Sequence, residues 1–172
     1  MTNARTLNVT TPTDREIVMT RDFDAPRALV WEAMSKPEYL RRWLLGPPGW
    51  EMTVCEVDQR VGGRFRHEWK NVDGTEMAMA GVYREVVEPE RITRTETFEM
   101  GCGPQGGEQI STLALSEQGG KTTVTITIRY PSKEARDATI ASGMEHGVGA
   151  SYDRLAELLA STPGHADLQV AR

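Results

Sequence analysis

The chain has 172 residues, 38% of them apolar and 26% charged, with a mean hydropathy of −0.47. A domain takes about 100–200 residues, so one compact unit is expected, and a chain of this size can bury a core without disulfides or metal. The net charge of −5 repels phosphate backbones and anionic lipid, which excludes nucleic acid and membrane surfaces as expected partners.

No apolar run approaches the roughly 20 residues that span a bilayer. The first residues lack the apolar segment of a secretory signal, and Cys55 and Cys102 are too few for a disulfide framework. A reducing cytoplasm is the expected compartment. Residues 1–14 and 162–172 carry no apolar period and read as disordered tails around a single domain over 15–161.

In chain order, the alternation of Ile17, Met19 and Phe23 predicts a half-buried strand. Asp24-Ala25-Pro26 then opens a short helix with an acidic cap and a first-turn proline, which ends at Pro37. Ser35 and Glu38 have capping-box spacing for a second short helix carrying Leu40, Trp43 and Leu44, and Pro47-Pro48-Gly49 ends it. From there the period changes from about 3.6 to 2. Strands are predicted over 51–58, 64–70, 76–87, 91–99, 108–116 and 122–130, separated by turn signals such as Gly62-Gly63, Asp73-Gly74 and Gly119-Gly120.

Successive hairpins predict an antiparallel sheet. Ser132 caps a long last helix whose stripe, Ala141, Met144, Val148, Tyr152, Leu155 and Leu159, runs to about residue 161. The expected architecture is α+β in the order β-α-α-β6-α, a curved sheet wrapped around the long C-terminal helix with an internal cavity. Gly143, Gly147 and Gly149 in that helix cost about 0.8–1.0 kcal/mol each relative to alanine. Either the helix bends there or another segment approaches it closely.

Most catalytic signatures fail on context. Gly101-Cys102-Gly103-Pro104-Gln105-Gly106 spells G-x-G-x-x-G, but a strand follows where a phosphate-binding helix is required, so it reads as a hairpin loop and no cofactor is expected. His67, His146 and His165 lie far apart, and there is no metal-ligand spacing, no C-x-x-C and no G-x-S-x-G. Cys55 reads as a small core residue. The tryptophans Trp31, Trp43 and Trp50 read as core or as covers of the interior.

One constellation carries chemistry. Phe65, His67 and Trp69 share one strand face, and Arg64, Arg66, Glu68 and Lys70 share the other. The charged set needs water, so His67 points inward between two aromatics. Two strands on, Ile92, Arg94, Glu96 and Phe98 share a face whose apolar ends turn it inward. Two roles follow for His67, Glu96 and Arg94. They are polar anchors of a ligand in an apolar cavity, or they form a structural network in which Glu96 pairs with Arg94 or His67.

The stretch Asp24-Ala25-Pro26-Arg27-Ala28-Leu29-Val30-Trp31-Glu32-Ala33, with Pro37-Glu38-Tyr39-Leu40-Arg41-Arg42-Trp43, resembles the opening signature of the START-like, helix-grip superfamily. More narrowly it is similar to the family named after the activator of heat-shock-protein ATPase. Gly62-Gly63-Arg64-Phe65, Gly81-Val82-Tyr83, Glu88-Pro89-Glu90-Arg91-Ile92, Thr95-Glu96-Thr97-Phe98, Gly143-Met144-Glu145 and Ser151-Tyr152-Asp153-Arg154-Leu155 extend the resemblance over residues 16–160. It implies a helix-grip fold with a cavity used across the superfamily for apolar molecules, and founding members that are cochaperones. Those cochaperones also carry an additional N-terminal domain, which residues 1–14 do not supply.

The expected function is therefore non-catalytic binding of a small hydrophobic or amphipathic molecule between the sheet and the last helix. The expected lining is Phe65, His67, Trp69, Met79, Tyr83, Glu96, Phe98, Met144 and Val148. The alternatives are a cochaperone-like protein that binds a chaperone through its surface, and a cyclase- or hydrolase-like enzyme using His67 and Glu96. A monomer or a homodimer is expected, the latter because symmetric dimers are common.

Overall fold

The computed structural model of the protein describes residues 7–100 and 104–162. Its strands are β1 (Asn8–Thr10), β2 (Glu16–Phe23), β3 (Trp50–Val57), β4 (Arg64–Asn71), β5 (Glu76–Val87), β6 (Arg91–Met100), β7 (Pro104–Gln118) and β8 (Lys121–Arg129). The helices are α1 (Arg27–Ser35), α2 (Pro37–Trp43), α3 (Lys133–Ala141) and α4 (Met144–Ser161). All strands form one antiparallel sheet in the order β1-β2-β8-β7-β6-β5-β4-β3. This is the expected α+β, helix-grip arrangement. Register shifts at Met52/Val54, Tyr83/Glu85 and Thr97/Phe98 bend individual strands and strengthen the twist, so the sheet curves toward the helices.

Four details correct the sequence reading. Asn8–Thr10, expected to be irregular, pair with Val18–Thr20 of β2. Three residues are too short for a periodicity signal, and what fixes them is the open edge of β2 and the packing of Leu7 and Val9 on the core. The rest of the expected tails, 1–6 and 163–172, lies outside the described residues. The capping box at Ser35 and Glu38 does not form, because Ser35 is still helical and Lys36 caps α2 with its backbone. Asp24 does not cap α1 either: Pro26 takes that position, and Asp24 instead lies 3.3 Å from Lys121 Nζ.

The fourth correction concerns the last helix, which is two helices. Ser132 caps α3 as expected, accepting the Ala135 amide at 3.1 Å. At Gly143 the backbone takes φ 78°, a left-handed conformation that ends the helix rather than bending it. Gly147 answers to close packing: a Cβ there would lie 3.4 Å from Pro47 Cδ, in the loop after α2. That loop is pinned to α4, since Ser151 Oγ accepts the Gly46 amide and Arg154 donates to the Gly46 carbonyl, at 2.8 and 2.6 Å. Gly149 faces open space.

The core fills the concave side of the sheet. Val30 and Trp31 of α1, Leu40 and Trp43 of α2, and Tyr152, Leu155, Leu158 and Leu159 of α4 are buried against Phe23, Phe65, Trp69, Tyr83, Leu115 and Val124. A smaller cluster of Ile17, Met19, Ile128 and Tyr130 lies where Met144 and Ala135 pack. Among the described residues no helix is long and apolar enough to cross a membrane.

At Gly81 of β5 the sheet admits no side chain at all. A Cβ there would sit 1.8 Å from the Thr95 carbonyl oxygen and 2.9 Å from Phe65 Cε1. Gly81→Ala is expected to destabilise the protein by about 1–3 kcal/mol or more through overpacking. Gly149→Ala, in open helical space, is expected to be neutral or to stabilise by up to about 1 kcal/mol. Urea unfolding of the two variants checks this, and equal midpoints would refute the assigned contact.

Candidate functional site

Strand register places the expected residues on the concave face in rows, because partners across antiparallel strands share a face. Cys55, His67, Met79 and Phe98 are successive neighbours from β3 to β6. Met52, Trp69, Met77 and Met100 form the adjacent row. Phe65 stands opposite Gly81, and Tyr83 opposite Arg94.

Of the nine expected residues, Phe65, His67, Trp69, Tyr83 and Glu96 are buried, with His67 only 1% exposed. Met79, Phe98, Met144 and Val148 are half-buried. Phe65, Trp69 and Tyr83 belong to the main core, with Met79 packed against it. Met144 joins the second cluster, and Val148 touches both. The structure thus brings most of the set together around β4 to β6 and sets Met144 apart from it.

His67 lies between its strand neighbours as the alternation predicts, with ring centroids 5.2 Å from Phe65 and 5.7 Å from Trp69. Burial, with a smaller contribution from the Arg94 charge, lowers its pKa to about 3. The imidazole is therefore neutral across the physiological range, and a neutral ring offers one N–H donor and one acceptor. Neither nitrogen has a hydrogen-bond partner among the described residues.

Glu96 pairs with Arg94 and not with His67. The Arg94 guanidinium donates from Nε and reaches from Nη2 to the same carboxylate oxygen, each at 2.9 Å, and the Gln109 side-chain amide donates to the other oxygen at 3.0 Å. Arg94 also lies over the Phe65 ring, 3.8 Å from its centroid. Both carboxylate oxygens are engaged, so the structural pairing weighed for Glu96 is realised. His67 and Glu96 form no dyad of the kind that acid–base chemistry needs.

Tyr152 of α4 belongs to this site as well. The sequence reading placed it only in an apolar stripe. Its ring packs between Phe23 and Trp43, 5.8 Å from each, yet its hydroxyl is buried without a partner among the described residues. Burial pushes its pKa up, the Arg21 charge opposes this, and Glu96 adds to the rise. Burial pushes the pKa of the Tyr130 hydroxyl up to about 12, and the neighbouring Thr139 side chain opposes this. The signal available in the sequence was the residue type itself, since a buried tyrosine normally finds a partner for its hydroxyl.

Other expected groups prove structural. The Trp43 and Trp69 indole N–H groups donate to the Ala33 and Leu44 carbonyls at 2.7 and 2.6 Å. Burial pushes the Cys55 thiol up from its ordinary value, which suits a core residue rather than a nucleophile. The motif at 101–106 lies partly outside the described residues, and Pro104 and Gln105 already belong to β7, paired with Glu99 and Phe98. Among the described residues no group of three or more His, Cys, Asp or Glu is placed to hold a metal ion. Two open hollows lie elsewhere, one of about 350 Å³ lined by Thr13–Glu16 and Arg129 and one of about 280 Å³ beside Trp31, Lys36 and Gln59.

Comparison with known proteins agrees with this architecture. A crystal structure of a Rhodobacter sphaeroides protein is similar at TM-score 0.85 and 28% identity, covering 91% of this chain and 99% of that one. A Mycobacterium smegmatis protein matches at 0.80 and 25% identity, over 90% and 97% of the two chains. A Chromobacterium violaceum protein matches at 0.75 and 28%, over 87% and 100%. Among curated proteins none matches this chain. The family described as "Activator of Hsp90 ATPase homolog 1-like protein" matches residues 24–160, a span that runs from before α1 to the last turn of α4 and contains every residue of the site. The chain belongs to that family.

Proposed function

We propose that the protein binds a small amphipathic molecule on the concave face of the sheet, under α4. The observation that carries this is the set of unpartnered polar atoms, both nitrogens of His67 and the hydroxyl of Tyr152. Each buried polar group left unsatisfied costs about 1–3 kcal/mol, and a buried network normally completes its hydrogen bonds with protein, ordered water or ligand. In the row that runs on from His67, Met79 and Phe98 are only half-buried, which gives an apolar body somewhere to lie. The proposed lining is the one read from the sequence without Met144, which packs in the second cluster, and with Tyr152 added. Methionine suits such a surface because its flexible, polarizable side chain adapts to irregular shapes.

A chaperone-binding surface is the second reading, favoured by the family match. Stimulation of the ATPase activity of a purified Hsp90-type chaperone tests it, and an unchanged rate would remove it.

For the interior reading, the neutral dye Nile red is expected to bind the purified protein at about one molecule per chain. Met79→Trp, which fills the row beside His67, is expected to weaken that binding about tenfold or more. Fluorescence titration decides. No binding, or binding that the substitution leaves unchanged, would overturn the proposal.

The buried state of His67 makes a separate prediction. Its folded pKa of about 3 lies below the ordinary histidine value of 6.5, so its contribution to stability is complete above the unfolded pKa. That contribution is lost as pH falls from about 6.5 toward 3, while the unfolded chain takes up the proton. Between pH 7.5 and 5 the unfolding free energy of the natural chain is expected to fall by about 2 kcal/mol more than that of His67→Gln, at about 1.4 kcal/mol per pK unit. Urea melts at the two pH values measure the difference. A difference independent of pH would show that His67 is charged or partnered in the folded state.

A further inference from the structure

We propose that the interior selects a ligand whose head group is electrically neutral and hydrogen-bonding, an alcohol, phenol, ketone or amide, and that it rejects carboxylates and ammonium ions. This rests on the interior-binding reading and adds the class of molecule.

The charges that reach this interior are already matched. Arg94 pairs with Glu96 at 2.9 Å, and Arg21 of β2 pairs with Asp153 of α4 at 2.6 Å. Gln109 takes the remaining Glu96 oxygen, and Phe65 covers one face of the Arg94 guanidinium. Arg21 keeps one unpartnered N–H, at Nε, but its charge is compensated by Asp153. A carboxylate or ammonium brought among these groups would leave its own charge buried and unmatched.

Apart from that Arg21 N–H, the open hydrogen-bonding capacity is neutral. His67 is 1% exposed and Tyr152 3%. The His67 ring presents one donor and one acceptor, and the Tyr152 hydroxyl can act as either. An alcohol or phenol matches either group in either sense, since it both gives and accepts a proton, and a carbonyl or amide matches either group's donor. A carboxylate only accepts and an ammonium only donates, so each uses one sense of this capacity and also brings a charge that nothing in the interior balances. The apolar body is accommodated along the row that continues from His67 through Met79 to Phe98.

The test titrates the full chain at neutral pH with four probes that share one body, namely 2-naphthol, naphthalene, 2-naphthoate and 2-naphthylmethylammonium. Binding of 2-naphthol is expected to be about tenfold or more tighter than that of either ion, with naphthalene between. In His67→Phe, and independently in Tyr152→Phe should the first variant fail to fold, the advantage of 2-naphthol over naphthalene is expected to shrink or vanish while naphthalene still binds. Equal or tighter binding of either ion would overturn the neutral-head rule and leave interior binding standing. Retention of the full 2-naphthol advantage in both variants would overturn the assignment of the head group to these side chains. Failure of all four probes to bind would overturn both the rule and the reading beneath it.

Discussion

The missing side chain at Gly81 is the constraint on which the interior depends. Phe65 of β4 lies directly opposite Gly81 and near enough that a single added carbon would collide with it and with the β6 backbone. Because β5 is bare at that point, the Phe65 ring can settle over it, and the Arg94 guanidinium of β6 can then lie on that ring at 3.8 Å. Arg94 in this position grips Glu96, two residues along its own strand. Three neighbouring strands are thus connected by one aromatic ring and one ion pair through a gap that only glycine leaves open.

That arrangement also sets the electrostatics of the site. Arg94 is about one-fifth exposed and Glu96 almost fully buried, so the pair gains from a low local dielectric but has also given up hydration. Its value to the fold lies in geometry as much as in energy, since it spends the carboxylate on Arg94 and Gln109 and leaves His67 without an anion. A histidine held beside an arginine, away from a carboxylate and out of water, stays neutral. The ion pairs on the outer face, among them Arg66–Glu99, Arg91–Glu85 and Lys70–Glu76, are exposed at both ends, and such pairs contribute about 0–1 kcal/mol each. What distinguishes this protein electrostatically is therefore inside it.

The sheet was legible in the sequence because a half-buried antiparallel strand must alternate, and β4 shows it plainly: Phe65, His67 and Trp69 go in while their charged neighbours stay out. The inward direction of Arg94 and Glu96 followed from Ile92 and Phe98 on the same face. What the pattern could not supply was pairing that depends on distance across strands. Gln109 as the second partner of Glu96, and the compensation of Arg21 by Asp153, join residues 13 and 132 positions apart. The helix break at Gly143 was visible only as a group of glycines, since a bend, a close approach and a chain reversal begin from the same residues. The β1 strand left no signal because three residues cannot show a period.

The polar atoms around this site weigh against regarding it as ordinary core. Phenylalanine at positions 67 and 152 would fill nearly the same space as histidine and tyrosine and add apolar burial, without leaving ring nitrogens or a hydroxyl to satisfy. Replacing a half-satisfied polar network with packed hydrophobic residues is commonly neutral or stabilising, whereas each orphaned group costs about 1–3 kcal/mol. In a domain whose total stability is on the order of 5–15 kcal/mol, two or three such groups are a substantial fraction. The neighbouring tryptophans show that the fold satisfies buried donors where satisfaction serves only structure, since Trp43 and Trp69 both reach backbone carbonyls. His67 and Tyr152, set a few ångströms from those well-satisfied indoles, are where that rule lapses within the main core, as it does at Ser35 of α1, and their unspent hydrogen-bonding capacity is what the proposed ligand would use.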